Sequence, residues 1–156
     1  MPDPEELFAR MGDYNAFLAD LGTVPAEVTS APMTQGKWSI QETVSHITAW
    51  DAHFLETAVR SIDAGEPPNL ADTVDYQAFN ERAAVVGRLL PKQEVLSQAA
   101  QTRTRLLVHL RRLPAESFRH QGQPGGELME FLERNFVSHD RHHVAQMKDY
   151  LAKHPS

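Results

Sequence analysis

Apolar residues recur along this chain at spacings of three and four, with few alternating runs, which predicts helices and almost no strand. Proline and glycine cut the pattern into blocks. The first block covers residues 3–21: Asp3 can cap it, Pro4 suits a first helical position, and Gly22 stops it. A linker, "TVPAEVTSAPMTQGKW", comes next. The second block opens at Ser39 with "SIQE". This is a capping box, in which the serine oxygen accepts a free backbone N–H and Glu42 reaches back to the cap. It runs to residue 64, where "AGEPPN" ends it. The next connection holds a shorter helix over 74–89, and Pro91 then opens a helix that reaches Leu113. "LPAESFRHQGQPGG" reads as a loop, and a last helix spans 127–153. Four long helices with a long connection between the second and third predict an all-α, four-helix bundle with a crossover, formed as one domain over residues 1–156.

Composition narrows the chemistry. A chain of 156 residues with 41% hydrophobic and 23% charged residues can bury a core. It has no cysteine, so disulfides, thiolate metal sites and a cysteine nucleophile are excluded, and any metal must use His, Asp or Glu. A formal net charge of −6 argues against nucleic acid as a partner. The arginines between Arg103 and Arg112 then read as the solvated face of a helix. No apolar run is long enough for a membrane span, and "MPDPEELFAR" lacks the order of a signal peptide, so residence in the cytoplasm is expected. Leu7, Phe8, Met11, Phe17 and Leu18 put apolar surface on more than one side of the first helix, which fits pairing with a second copy.

The informative stretch is "SHDRHHVAQ", residues 138–146, which holds His139, His142 and His143. At about 100° per residue, His143 falls about 40° from His139. Leu128, Leu132, Phe136, Met147 and Tyr150 lie within about 80° of it. Two histidines one turn apart therefore share the apolar face, while Arg141 points out and His142 sits on the flank. Each could be a core histidine bonded to a carbonyl. Burying two rings side by side is costly unless both find partners, and one cation between them satisfies both. A third ligand would come from "SHITAWDAHF" on the second helix, where His46 and His53 lie about 10 Å apart along the axis, so a compact site uses one of them. His109, His120 and His154 read as surface or loop histidines.

Trp38, the capped "SIQE" helix, His46, and the H-x-x-x-H-x-x-Q of His139, His143 and Gln146 together resemble the DinB-like superfamily of metal-dependent proteins, and the likeness spans nearly the whole chain. The resemblance implies a four-helix bundle with an unusual crossover, often a homodimer. It implies a metal, commonly zinc or nickel, held by three histidines whose positions here are His46, His139 and His143. The family name refers to DNA-damage induction and carries no implication of DNA binding. Characterised members are often thiol-dependent, joining a low-molecular-weight thiol such as bacillithiol or mycothiol to an electrophile. Others are hydrolases.

Three neutral imidazoles leave open positions on an ion, where a thiol or a water would have its pKa lowered. A small-molecule substrate is therefore expected. Asp51, Glu42 and Gln146 are candidate acceptors for the outer N–H of a ligating histidine. His142 and Asp51 are candidate catalytic residues, and Trp38 and Trp50 candidate pocket walls. A metal that only stabilises the fold is the main non-enzymatic alternative. "HDRHH" also has a superficial likeness to the H-E-x-x-H of metalloproteases, but Asp140 is one methylene shorter than the required Glu.

Overall fold

The computed structural model describes residues 3–66, 74–118 and 124–154, with the side chains of 124–127 excepted. Its elements are α1 (Pro4–Leu21), α2 (Ala26–Thr29), α3 (Ile40–Phe54), α4 (Arg60–Asp63), α5 (Tyr76–Leu89), α6 (Lys92–Arg112), α7 (Pro124–Leu132) and α8 (His139–Lys153). A π-helical turn, Leu55–Val59, joins α3 to α4, and a second, Glu133–Ser138, joins α7 to α8. The described residues contain no strand, only an isolated bridge between Pro32 and Ser39. None of the described helices is long and apolar enough to cross a membrane.

The helix boundaries match the expected punctuation closely. Asp3 precedes α1 with proline in the first turn, and Ser39 and Glu42 form the reciprocal capping box on α3. Three details differ. The linker after α1 contains the short helix α2, the loop after α6 contains a 3₁₀ turn at Ala115–Phe118, and the last helical stretch begins at Pro124 rather than near residue 127. Residues 67–73 of the second connection, and His120, lie outside the described residues.

Helix α6 packs along both α1 and α3, and α8 touches the same two helices. Two apolar clusters fill the interior. One gathers Leu7 and Met11 of α1 with Leu106, Leu110, Leu128 and Leu132; the other gathers Tyr14 and Leu21 of α1 with Ile40, Val44, Ile47 and Met147. Leu7, Phe8, Met11, Phe17 and Leu18 are all buried within the chain. The two-sided pattern of α1 therefore has its partners inside the fold, and it carries no argument for a second copy.

The arginine run is not uniformly solvated. Arg105, Arg111 and Arg112 are exposed, but Arg103 is completely buried between the two clusters. Its Nε and Nη2 donate to the two oxygens of Asp51 on α3 at 2.8 and 2.9 Å. Its Nη1 donates to Asp140 on α8 at 2.7 Å and to the carbonyl of Met11 on α1 at 2.8 Å. The guanidinium also lies over the Tyr14 ring, 4.7 Å from its centre. The planar fork of five donors lets one side chain bond three helices while gripping Asp51 through both oxygens; an ammonium has only three donors.

Helix α5 belongs to the long connection and runs antiparallel along α3. Gly87 lies against Gln41 and Glu42, Asn80 against His46 and Trp50, and Phe79 against Trp50 and His53. Its docking is held by Gln41, whose amide donates to the carbonyls of Gly87 and Leu90, and by Arg88, which pairs with Glu42 at 2.8 Å. A methyl group at Gly87 would stand 2.5 Å from the Gln41 carbonyl oxygen.

Both the close approach at Gly87 and the buried charge of Arg103 can be tested by unfolding in urea. Gly87→Ala gains helix propensity but meets backbone rather than a movable side chain, so it should destabilise by about 1–3 kcal/mol. Arg103→Met leaves two buried carboxylates uncompensated and should cost about 3–5 kcal/mol. Adding Asp51→Asn and Asp140→Asn to it should recover much of that loss. A triple variant no more stable than the single one would show that Arg103 acts through packing alone.

Candidate metal centre

His46 sits two turns into α3, a helix whose start is fixed by the capping box: Ser39 Oγ accepts from Glu42 N at 3.1 Å, and Glu42 Oε1 accepts from Ser39 N at 3.0 Å. His139 and His143 are one turn apart at the start of α8, directly after the π-helical turn. The three rings converge. His46 lies 5.5 Å from His139 and 5.2 Å from His143 between ring centres, and the last two are 4.5 Å apart. Nε2 of His139 and Nε2 of His143 approach to 3.1 Å. One ring nitrogen from each of the three lies within 4.8 Å of the others, a group that could hold a metal ion.

The surroundings keep these rings neutral. Burial pushes His46 down to about 4, helped by the nearby His139 and opposed by a hydrogen bond to Asn80. Burial, then His139, His46 and His142, push His143 down to about 4, with Gln146 acting the other way. His139 is also lowered, first by burial and then by His142, while Asp51 pulls it up. Neutral imidazoles offer the lone pairs that a cation needs. Among the described residues, Nδ1 of His143 is buried with no hydrogen-bond partner.

The other residues singled out from the sequence have varied surroundings. Trp38 packs on His46, 5.0 Å between ring centres, and lines a cleft of about 590 Å³ together with Thr43, His143, Gln146, Tyr150 and Lys153. Trp50 does not line that cleft; it packs against Tyr76 and Phe79 of α5. His142 is exposed, its ring centre 5.5 Å from that of His143. Asp51 is 1% exposed with both oxygens bonded to Arg103, so it neither accepts from a histidine nor faces the cleft. Glu42 is engaged by Ser39 and Arg88. Asp140, the counterpart of a metalloprotease glutamate, is likewise turned to Arg103. His53 packs on Trp50 and Phe79 and stays out of the cluster. His109 and His154 each bond a backbone carbonyl one turn earlier.

The acceptor that sequence reasoning misses is Asn80 of α5. Its Oδ1 lies 3.1 Å from His46 Nδ1 and accepts from Trp50 Nε1 at 2.8 Å. It lies 34 residues from His46 on a helix of the long connection, and no periodicity links the two.

The fold and this site define an all-α protein with a cluster of three histidines, one buried and two half-buried, able to take a divalent metal. A family model of the DinB superfamily matches residues 9–147, and the chain belongs to that superfamily. No curated protein and no solved structure matches the chain.

The lowered histidines have a sign that can be tested without metal. His46 and His143 take a proton near 6.5 in the unfolded chain but only near 4 when folded. Between those values the unfolded chain holds more protons, so stability is complete above pH 6.5 and declines as the pH falls toward 4. Urea midpoints of chelator-treated protein across this range should show that decline, and His143→Gln should flatten part of it. An unchanged slope in the variant would mean that His143 is not buried as a neutral ring.

Proposed function

We propose that His46, His139 and His143 ligate a divalent ion, zinc or nickel, and that the protein is a metal-dependent enzyme acting on a small molecule, within one domain of the cytoplasm and without nucleic acid. Its reaction is proposed to be S-transfer, in which a low-molecular-weight thiol is joined to a small electrophile.

The observation that carries this reading is the convergence of three neutral ring nitrogens within 4.8 Å. The donor chemistry fits a cation. His139 and His143 face each other through Nε2 atoms 3.1 Å apart, so at most one proton can lie between them, and the third ring adds a further lone pair. Three imidazoles match the ligand count of catalytic zinc sites, which keep a position open. When bound, the ion would supply a Lewis acid that lowers the pKa of a thiol or a water.

The chain's own residues would do the rest. The cleft is of small-molecule size and reaches the cluster at His143, which favours catalysis over a sealed structural site. Trp38 and Tyr150 give it aromatic walls, and Lys37 brings positive charge suited to an anionic group on the thiol or the electrophile, while Lys153 is paired with Asp149 of the same lining. His142, exposed with its ring centre 5.5 Å from that of His143, is the proposed proton acceptor.

Elemental analysis of tag-free protein beside His46→Ala and His143→Ala is the direct test. About one metal per chain is expected in the wild type, and loss in both variants. The metal-loaded protein is then assayed with a panel of thiols and a chromogenic electrophile. Thiol-independent product formation would replace transfer with hydrolysis. A metal whose removal lowers the melting temperature, with no turnover on any substrate, would leave a stabilising role. No metal in any sample would remove the proposal.

A further inference from the structure

We infer that Asn80, held by Trp50, is a positioning residue that fixes His46 in the tautomer protonated on Nδ1 and so makes Nε2 its ligating atom.

Donors and acceptors decide the tautomer. An indole Nε1–H can only donate. The Asn80 atom 2.8 Å from it must therefore be the carboxamide oxygen, whichever way an amide would otherwise be turned. That same oxygen stands 3.1 Å from His46 Nδ1. Two lone pairs allow it to accept twice, and an oxygen cannot donate here, so His46 Nδ1 must carry a proton. A neutral imidazole has one N–H, so Nε2 is left with the lone pair. Histidine ligands usually give their outer N–H to such an acceptor. Here the acceptor is itself aligned by a neighbouring tryptophan on the histidine's own helix, one turn further on.

The geometry is built rather than incidental. Asn80, Ala83, Ala84 and Gly87 lie at helical spacing on α5, and the last three are buried against α3. Small residues there let α5 approach until Asn80 reaches His46. Trp50 is braced by Phe79 and Tyr76 of the same helix, with ring centres at 4.3 and 5.5 Å. The second part of the inference, ligation through Nε2, rests on the proposed metal site; the tautomer itself does not.

Long-range ¹H–¹⁵N correlation spectra of the full, metal-free chain at neutral pH read the tautomer directly, with His46→Gln identifying the signals. The wild type should show His46 as Nδ1–H. Asn80→Leu should shift it toward Nε2–H and weaken zinc binding by about 10–100-fold in competition with a chromophoric chelator. Asn80→Asp, which keeps the acceptor, should restore both. Trp50→Phe keeps the ring packing but frees the amide to turn, and should give a mixture of tautomers. It carries the test should Asn80→Leu fail to fold by circular dichroism. A wild-type His46 protonated on Nε2 would overturn the inference, and so would variants that keep Nδ1–H and full zinc affinity. A wild type with the expected tautomer that takes up no zinc would sink the metal reading and leave the lock standing.

Discussion

A single guanidinium joins the four long helical stretches of this chain. Arg103 of α6 bonds Met11 of α1, Asp51 of α3 and Asp140 of α8, with no exposure to solvent. Burial alone would lower an arginine's pKa, but the two carboxylates raise it well above the ordinary value, so the charge is permanent. Such an interaction is directional in a way that leucines are not. Apolar contacts tolerate small rotations of a helix, whereas a bidentate fork does not. Asp140 comes directly after His139, and Asp51 lies five residues after His46, about 140° around and 7.5 Å along α3. Arg103 therefore fixes the rotation and the level of both helices that bring histidines to the cluster. The same contact that closes the core sets the geometry of the site.

The π-helical turns act on the same geometry. A π turn takes in one more residue than an α turn, so it rotates the next stretch of helix by about 100°. The turn at Glu133–Ser138 ends where His139 begins. Leu128, Met129 and Leu132 before it, and Phe136 and Val137 within it, face the first apolar cluster; after it, Met147 and Tyr150 face the second. On an uninterrupted helix Val137 would lie about 160° from His139, on the opposite face, yet it is buried. The offset lets one long helical run serve two clusters and still turn His139, Asp140 and His143 inward.

Much of this was legible locally. Caps, stops and the one-turn spacing of His139 and His143 depend on residues within four positions of each other, and sequence displays those directly. What failed were the long-range polar pairings. Arg103 looks like its neighbours in the run to Arg112, and only the two carboxylates on other helices distinguish it. Asp51 and Glu42 read as acceptors for histidine because nothing local assigns them to Arg103 and Arg88. The apolar surface on both sides of α1 read as a contact for a second copy because a chain with two clusters needs a helix that faces both.

Asn80 shows what the long connection is for. A long connection between helices could be a plain spacer, and entropy argues for keeping a spacer short or loose. This one instead forms α5 and pins it at three levels along α3: Gly87 and Arg88 at the capped end, Asn80 at His46, and Phe79 at Trp50 and His53. The close approach at Gly87 gives up helix propensity of about 1 kcal/mol, which a spacer would have no reason to do. The gain appears two turns away, where Asn80 meets the one histidine that α3 contributes to the cluster. Each helix that brings a histidine to the cluster is thus held from behind by a polar group of another element: α8 by Arg103, and α3 by Arg103 and Asn80 together. Rigid support of this kind is what a site needs if its ligands are to be in place before an ion arrives.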